Sequence, residues 1–198
     1  MKLLLTGFEP FGQNSANPTQ HLVETLAARP PSPGVKLIAR VLPVEYVNAE
    51  QQLQALIHAH RPDVILSLGL AESRAKISLE RVALNLDDAS LPDNAGELRQ
   101  GTPICPEAPA AYFSTLPLDS LKIALENAEI PVHISNHAGA YLCNHIFYVA
   151  RHEVESLGIP CGFVHMPQAK EFAPANENAL PLDTLLRAVE ICIQTLSD

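Results

Sequence analysis

Short unbroken apolar runs alternate along this chain with longer segments whose apolar positions recur every three or four residues. Lys2 to Thr6, Val35 to Leu42, Val64 to Leu68 and Cys161 to His165 read as buried strands, the third closed by Gly69. Val132 to Ser135 reads as another, shorter strand. Helical spacing starts at Asn17-Pro18, where Asn is a cap, Pro takes the first position and Gln20 the capping-box position; Leu22, Val23 and Leu26 give one apolar face. Pro30 to Gly34 breaks that helix. Further helices are predicted from Val47 to His60, closed by Pro62, from Leu118 to Ala128, from about Leu142 through Ala150, and from Leu182 to Leu196.

Two stretches fit neither period. Ala75 to Asn85 (AKISLERVALN) reads as one partly alternating strand with Glu80 between Leu79 and Val82. A carboxylate amid such neighbours is costly unless it is paired; an exposed edge strand is the competing reading. Leu86 to Ala110 is a long loop rich in Asp, Asn, Gly and Pro, of the kind that is functional or mobile, with Tyr112 and Phe113 expected to anchor its return. With no 20 to 50-residue repeat and no linker-like segment, residues 1–198 are expected to form a single three-layer α/β domain. Its twisted, largely parallel sheet would be flanked by helices on both faces.

Composition narrows the function. The net charge of −9, from 22 acidic and 13 basic residues, comes without any Lys/Arg cluster, so no nucleic-acid partner is expected. The apolar run at Met1 to Leu5 is interrupted by Thr6 and Gly7, too early for a signal peptide, and no segment is long enough to span a bilayer. A cytoplasmic protein without a membrane partner is expected. Cys105, Cys143, Cys161 and Cys192 have no CxxC spacing and read as free thiols.

The stretch Ser135 to Ala150 (SNHAGAYLCNHIFYVA) carries the candidate chemistry. Cys143 falls in the first turn or two of a helix, where unpaired amide N–H groups and the helix dipole favour a thiolate; a small buried hydrophobe is the plain alternative. Thiol catalysis needs a base and a group that orients the base. His165 at a strand end and Glu80 can fill these roles, with Cys143 and His165 on the C-terminal side of one parallel sheet. His145, two residues along the same helix, points elsewhere, and His137 is likewise a weaker base. His58 and His60, near a helix C-terminus, are explained by the dipole.

A metal site is the competitor, since His133, His137, Cys143, His145 and His152 crowd together. No HExxH or CxxC is present and a strand-turn-helix splays these side chains, so no metal is expected. There is no GxGxxG or GxxxxGK[ST], and no second cysteine nearby for redox work; no cofactor is expected. Phe8 and Phe11, in the loop Gly7 to Ala16, can wall a ligand pocket or simply cap the core.

SNHAGAYLCNHIFY resembles the cysteine motif of the pyroglutamyl peptidase I family, also called pyrrolidone carboxyl peptidases. TGFEPFG with Asn17-Pro18, SLERVALN, LPDNAG, YFSTLP and GFVHMP resemble that family's blocks in the same order along nearly the whole chain. The resemblance implies a cysteine peptidase that removes N-terminal pyroglutamate from peptides through a thioester, with Cys143 as nucleophile, His165 as base and acid, and Glu80 as orienting member. It implies Phe8 and Phe11 as walls of the pyroglutamyl pocket, Asn17 as support of loop or ligand, and Leu70 beside the lactam through its backbone. It also implies a homo-oligomer, a tetramer. Leu70 stands where some relatives carry glutamine, and Ser90 where the family is expected to have arginine. A cysteine amidase acting on another lactam-like substrate and a non-catalytic small-molecule binding domain stay open as alternatives.

Overall fold

The computed structural model describes residues 1–12, 14–29 and 33–197, so the expected break at Pro30 to Gly34 and the loop Gly7 to Ala16 fall partly outside it. Six strands form the main sheet in the order β2-β1-β3-β8-β4-β7. These are β1 (Lys2–Phe8), β2 (Lys36–Leu42), β3 (Val64–Leu70), β4 (Ile77–Glu80), β7 (Val132–Ser135) and β8 (Cys161–Met166). The four strands β2, β1, β3 and β8 run parallel, which suits their continuous apolar runs. Alternate residues of β1 serve opposite faces: Leu3 and Leu5 join one core layer, Leu4 and Phe8 the other.

Helices α1 (Pro18–Ala28), α3 (Leu118–Asn127) and α5 (Leu182–Ser197) cover the first face; α2 (Tyr46–His60) and α4 (Leu142–Val154) cover the second. This is the expected three-layer α/β architecture. Asn17 caps α1, its Oδ1 accepting from Thr19 N at 3.0 Å. Gln20 does not close a capping box; its amide donates to Glu24 one turn on, at 2.9 Å. Gly7 lets α1 lie close on β1, since a Cβ there would stand 2.7 Å from the Thr19 carbonyl oxygen.

Three expectations are corrected. Ala75 to Asn85 is two strands. β4 stays in the main sheet, whereas β5 (Val82–Leu84) turns away at exposed Arg81 to pair antiparallel with β6 (Ala111–Phe113). β4 is no edge strand: it lies between β8 and β7, and Glu80 is fully buried. β4 and β7 run parallel to each other but antiparallel to β8, so two of the six strands are reversed. The Phe113 side chain is 66% exposed, so its ring does not enter the core, while Tyr112 is buried as expected. The loop from Leu86 to Ala110 folds back on itself, with a bridge between Asp87 and Thr102 and with Asp93 Oδ1 accepting from the amides of Ala95 and Glu97. All four cysteines are free thiols. Among the described residues no helix is long and apolar enough to cross a membrane.

Candidate active site

Strand β7 ends at Ser135, level with Glu80 on β4 and Phe163 on β8. The expected order of strand, turn and cysteine helix holds, but β7 is reversed relative to β8, so its C-terminal end is not the sheet edge at which β8 ends. The expectation that Cys143 and His165 both follow the C-terminal ends of parallel strands is corrected. The turn Asn136 to Tyr141 brings the chain back, and α4 opens with Cys143 as its second residue. The Cys143 sulfur then lies over Gly69, which is paired with His165 near the C-terminal ends of β3 and β8.

The close approach depends on Gly69. A Cβ at this position would stand 2.7 Å from Cys143 Sγ and 2.7 Å from the Phe163 ring, which real contacts do not allow. Gly69→Ala must push the sulfur or the ring aside. With Cys143 in its expected role as nucleophile, displacing its sulfur by about 1 Å costs on the order of 100-fold in rate, so kcat/KM of this variant is expected to fall by about that factor. Steady-state kinetics on a variant shown by circular dichroism to be folded checks this, and retention of full activity would contradict the placement.

His165 is nearly buried, and its Nδ1 lies 2.7 Å from Glu80 Oε1. That bond directs the ring's other nitrogen, Nε2, to the cavity it lines beside Cys143. The same Glu80 oxygen accepts from Arg74 Nη1 at 2.6 Å. Burial raises the Glu80 pKa, but the hydrogen bond and charge of His165, followed by Ser135 and Arg74, outweigh it and hold the carboxyl below its ordinary value. The Ser135 hydroxyl is nevertheless directed to His137 O at 3.3 Å, and Glu80 Oε2 has no hydrogen-bond partner of sound geometry among the described residues.

Burial pushes the Cys143 thiol up to about 12; the Glu80 charge adds to this and Arg74 opposes it. Burial thus opposes the thiolate that the helix N-terminus is expected to favour.

Cys143 and His165 open into a cavity of about 150 Å³. Phe8, Phe11, Asn17 and Leu70 line it as expected from the sequence, together with Val44 and Tyr141, which the sequence reading missed. Phe8 is the last residue of β1, not a loop residue, and both walls the cavity and joins the core. Phe11 meets Tyr141 with ring centroids 6.2 Å apart. Asn17 fixes the loop: its Nδ2 donates to Glu9 O at 3.0 Å, while Thr19 Oγ1 accepts from Phe8 N at 3.0 Å. None of the lining residues carries a carboxylate. A larger groove of about 520 Å³ between α1, β2 and α5 has no cysteine, serine, threonine or histidine among its described lining residues.

The histidines that suggested a metal are dispersed: His133 Nε2 meets Ser78 Oγ at 2.8 Å, and His152 Nδ1 meets Tyr112 OH at 2.9 Å. No cluster of three or more metal-ligating side chains occurs among the described residues. His145 is buried behind the site, with Asp87 at 2.9 Å on one nitrogen and Glu50 at 3.3 Å on the other. This ties the long loop to α2 and α4. Ser90 is exposed and does not line the cavity.

A family model described as pyroglutamyl peptidase matches residues 1–198. The chain belongs to the pyroglutamyl peptidase family. It is 42% identical over 202 residues to the pyrrolidone-carboxylate peptidase of Vibrio vulnificus strain YJ016, covering 100% of this chain and 95% of that one. It is 37% identical over 213 residues to the pyrrolidone-carboxylate peptidase of Pyrococcus furiosus, covering 99% and 100% of the two chains. A solved mutant pyrrolidone carboxyl peptidase from P. furiosus superposes with a TM-score of 0.94 at 36% identity, over 98% of this chain and 97% of that one. The enzyme from Thermococcus litoralis gives 0.93 at 32% identity, over 98% and 92%. Pyroglutamyl peptidases are hydrolases, and this family member is an enzyme of that class.

Proposed function

We propose that this enzyme cleaves the peptide bond that follows an N-terminal pyroglutamyl residue, with Cys143 as nucleophile, His165 as general base and acid, and Glu80 as the group that orients His165. The observation that carries the reading is a small apolar cavity, free of carboxylates, lined by both a thiol and a carboxylate-bound imidazole. A pyroglutamyl ring is a neutral, flat lactam. The Phe8 and Phe11 rings can hold its faces, and backbone groups beside Leu70 can read its N–H and C=O. An ordinary N-terminal residue would bring an ammonium that finds no counter-charge there, at a cost of several kcal/mol.

His165 Nε2 takes the Cys143 proton as the sulfur attacks the carbonyl carbon attached to the lactam ring. The oxygen becomes an oxyanion, for which the free amide N–H groups in the first turn of α4, that of Cys143 included, are available. Collapse breaks the C–N bond, and the imidazolium gives its proton to the departing amine. A thioester is left. Water, deprotonated by His165, attacks it and releases pyroglutamate, and the thiol is restored. Glu80 stays ionised throughout and holds Nδ1.

The test is release of a fluorogenic amine from pyroglutamyl-, prolyl- and alanyl-amides under reducing conditions. The pyroglutamyl compound is expected to be preferred by at least about 1,000-fold, as several kcal/mol of unpaired charge requires. Equal cleavage of the alanyl compound would overturn the pocket assignment, and no cleavage by folded, reduced enzyme would overturn the function.

A further inference from the structure

The catalytic roles proposed above use one oxygen of Glu80, and that oxygen is shared. Oε1 lies 2.7 Å from His165 Nδ1 and 2.6 Å from Arg74 Nη1. Oε2 is buried without a hydrogen-bond partner of sound geometry among the described residues, so the well-formed contacts of the carboxylate converge on Oε1. Arg74 lies in the turn between β3 and β4, its amide donating to Ala71 O at 2.9 Å, and its side chain is 30% exposed. It thus brings a permanent positive charge from the solvent side onto a buried anion.

We infer that Arg74 is a positioning residue for catalysis, acting through Glu80 to fix the His165 ring and to offset the carboxylate's charge at Cys143 and His165. The inference rests on the proposed roles of those three residues.

Two physical consequences follow. An ionised carboxylate with no counter-charge but an imidazole favours the imidazolium, which cannot accept a proton from sulfur. It also opposes negative charge on the sulfur. A guanidinium on the same oxygen weakens both effects while Glu80 keeps its hydrogen bond to Nδ1. A neutral substitute of similar length would keep much of the packing but not the charge. The groups that face this site are Glu80 of β4, His165 of β8, Cys143 of α4 and Arg74 itself. Ser135 of β7 lies level with Glu80, and His133 of β7 is turned to Ser78.

The experiment compares the wild type with Arg74→Gln and Arg74→Lys by two readouts. The first is the pH profile of kcat/KM with a pyroglutamyl-amide. The second is the pH profile of Cys143 alkylation by iodoacetamide, which needs no substrate. In Arg74→Gln the acid limb of kcat/KM is expected to move to higher pH by roughly one unit, with kcat lower by about tenfold at neutral pH and KM little changed. Alkylation at a fixed alkaline pH is expected to slow by about the same factor. Arg74→Lys, which keeps the charge but loses the planar fork, should hold the limb near its wild-type place. Unmoved pH profiles in folded Arg74→Gln, whether or not activity falls, would overturn the inference. So would an equal shift in Arg74→Lys. Failure of the pyroglutamyl reading itself appears separately, as wild-type enzyme without turnover, and the alkylation profiles still decide the role of Arg74.

Discussion

Cys143→Ala is expected to lower kcat by on the order of 100,000-fold while leaving the fold intact. No other thiol in the chain can take its place: Cys161 and Cys192 are buried in the core, and Cys105 lies against His152 at 3.9 Å on the long loop. The loss follows from the proposed chemistry, in which the sulfur forms the bond that divides one difficult hydrolysis into two easier steps, so that removing it removes nearly all that the unit does. Binding should survive, since the walls of the cavity are supplied by Phe8, Phe11, Leu70 and Tyr141. Burst-free steady-state kinetics, with pyroglutamate binding measured by calorimetry on the variant, checks both halves. Activity within tenfold of wild type would exclude Cys143 as nucleophile.

Glu80→Gln is the second large effect, a fall in kcat of about 1,000 to 10,000-fold, the scale seen when the orienting carboxylate of such a triad becomes an amide. The amide can present its NH₂ to Nδ1 and so favour the tautomer in which Nε2 carries the proton and cannot act as base. It also leaves the Arg74 guanidinium without its anion. Stability should change with pH in a defined direction. The Glu80 carboxyl has a lowered pKa in the folded protein, so its contribution is present above the unfolded value of about 4.3 and is lost as pH falls through the folded one. Thermal unfolding should therefore show wild type above Glu80→Gln at neutral pH and the two converging in acid. A gap that widens in acid would mean that the carboxylate is not the stabilised form.

The strand-helix alternation was legible because buried parallel strands are unbroken apolar runs, and the proposed site residues were legible for separate reasons. Cys143 opens a helical pattern and His165 closes an apolar run. Glu80 was conspicuous because a carboxylate between Leu79 and Val82 has to be paired, and it is. Strand direction was not legible: a four-residue run such as Val132 to Ser135 carries no mark of which way it runs, and the reversal of β4 and β7 depends on pairings far apart in sequence. The break at Arg81 was hidden because alternation continues across it from one sheet into the other.

In the sequence Gly69 marks only a strand end, whereas in the structure it leaves room for the Cys143 sulfur, which a Cβ there would meet at 2.7 Å. Tyr141 and Val44 lie in turns, and nothing local tells that a turn residue faces a cavity. The His145–Asp87 contact joins residues 58 apart, beyond any local pattern. The opposition to a charged sulfur was not legible either: a helix N-terminus favours the thiolate, but burial by residues distant in sequence moves the thiol up to about 12.

The central claim is that the Cys143 sulfur takes the pyroglutamyl group. An activated pyroglutamyl ester, whose leaving group departs fast enough to make thioester hydrolysis the slow step, can be mixed with enzyme, quenched in acid within milliseconds and mapped by peptide mass spectrometry. The account predicts one pyroglutamyl acyl group on the peptide that contains Cys143, formed and lost at rates consistent with turnover. An acyl group on another residue, or turnover with no adduct at Cys143, would contradict it.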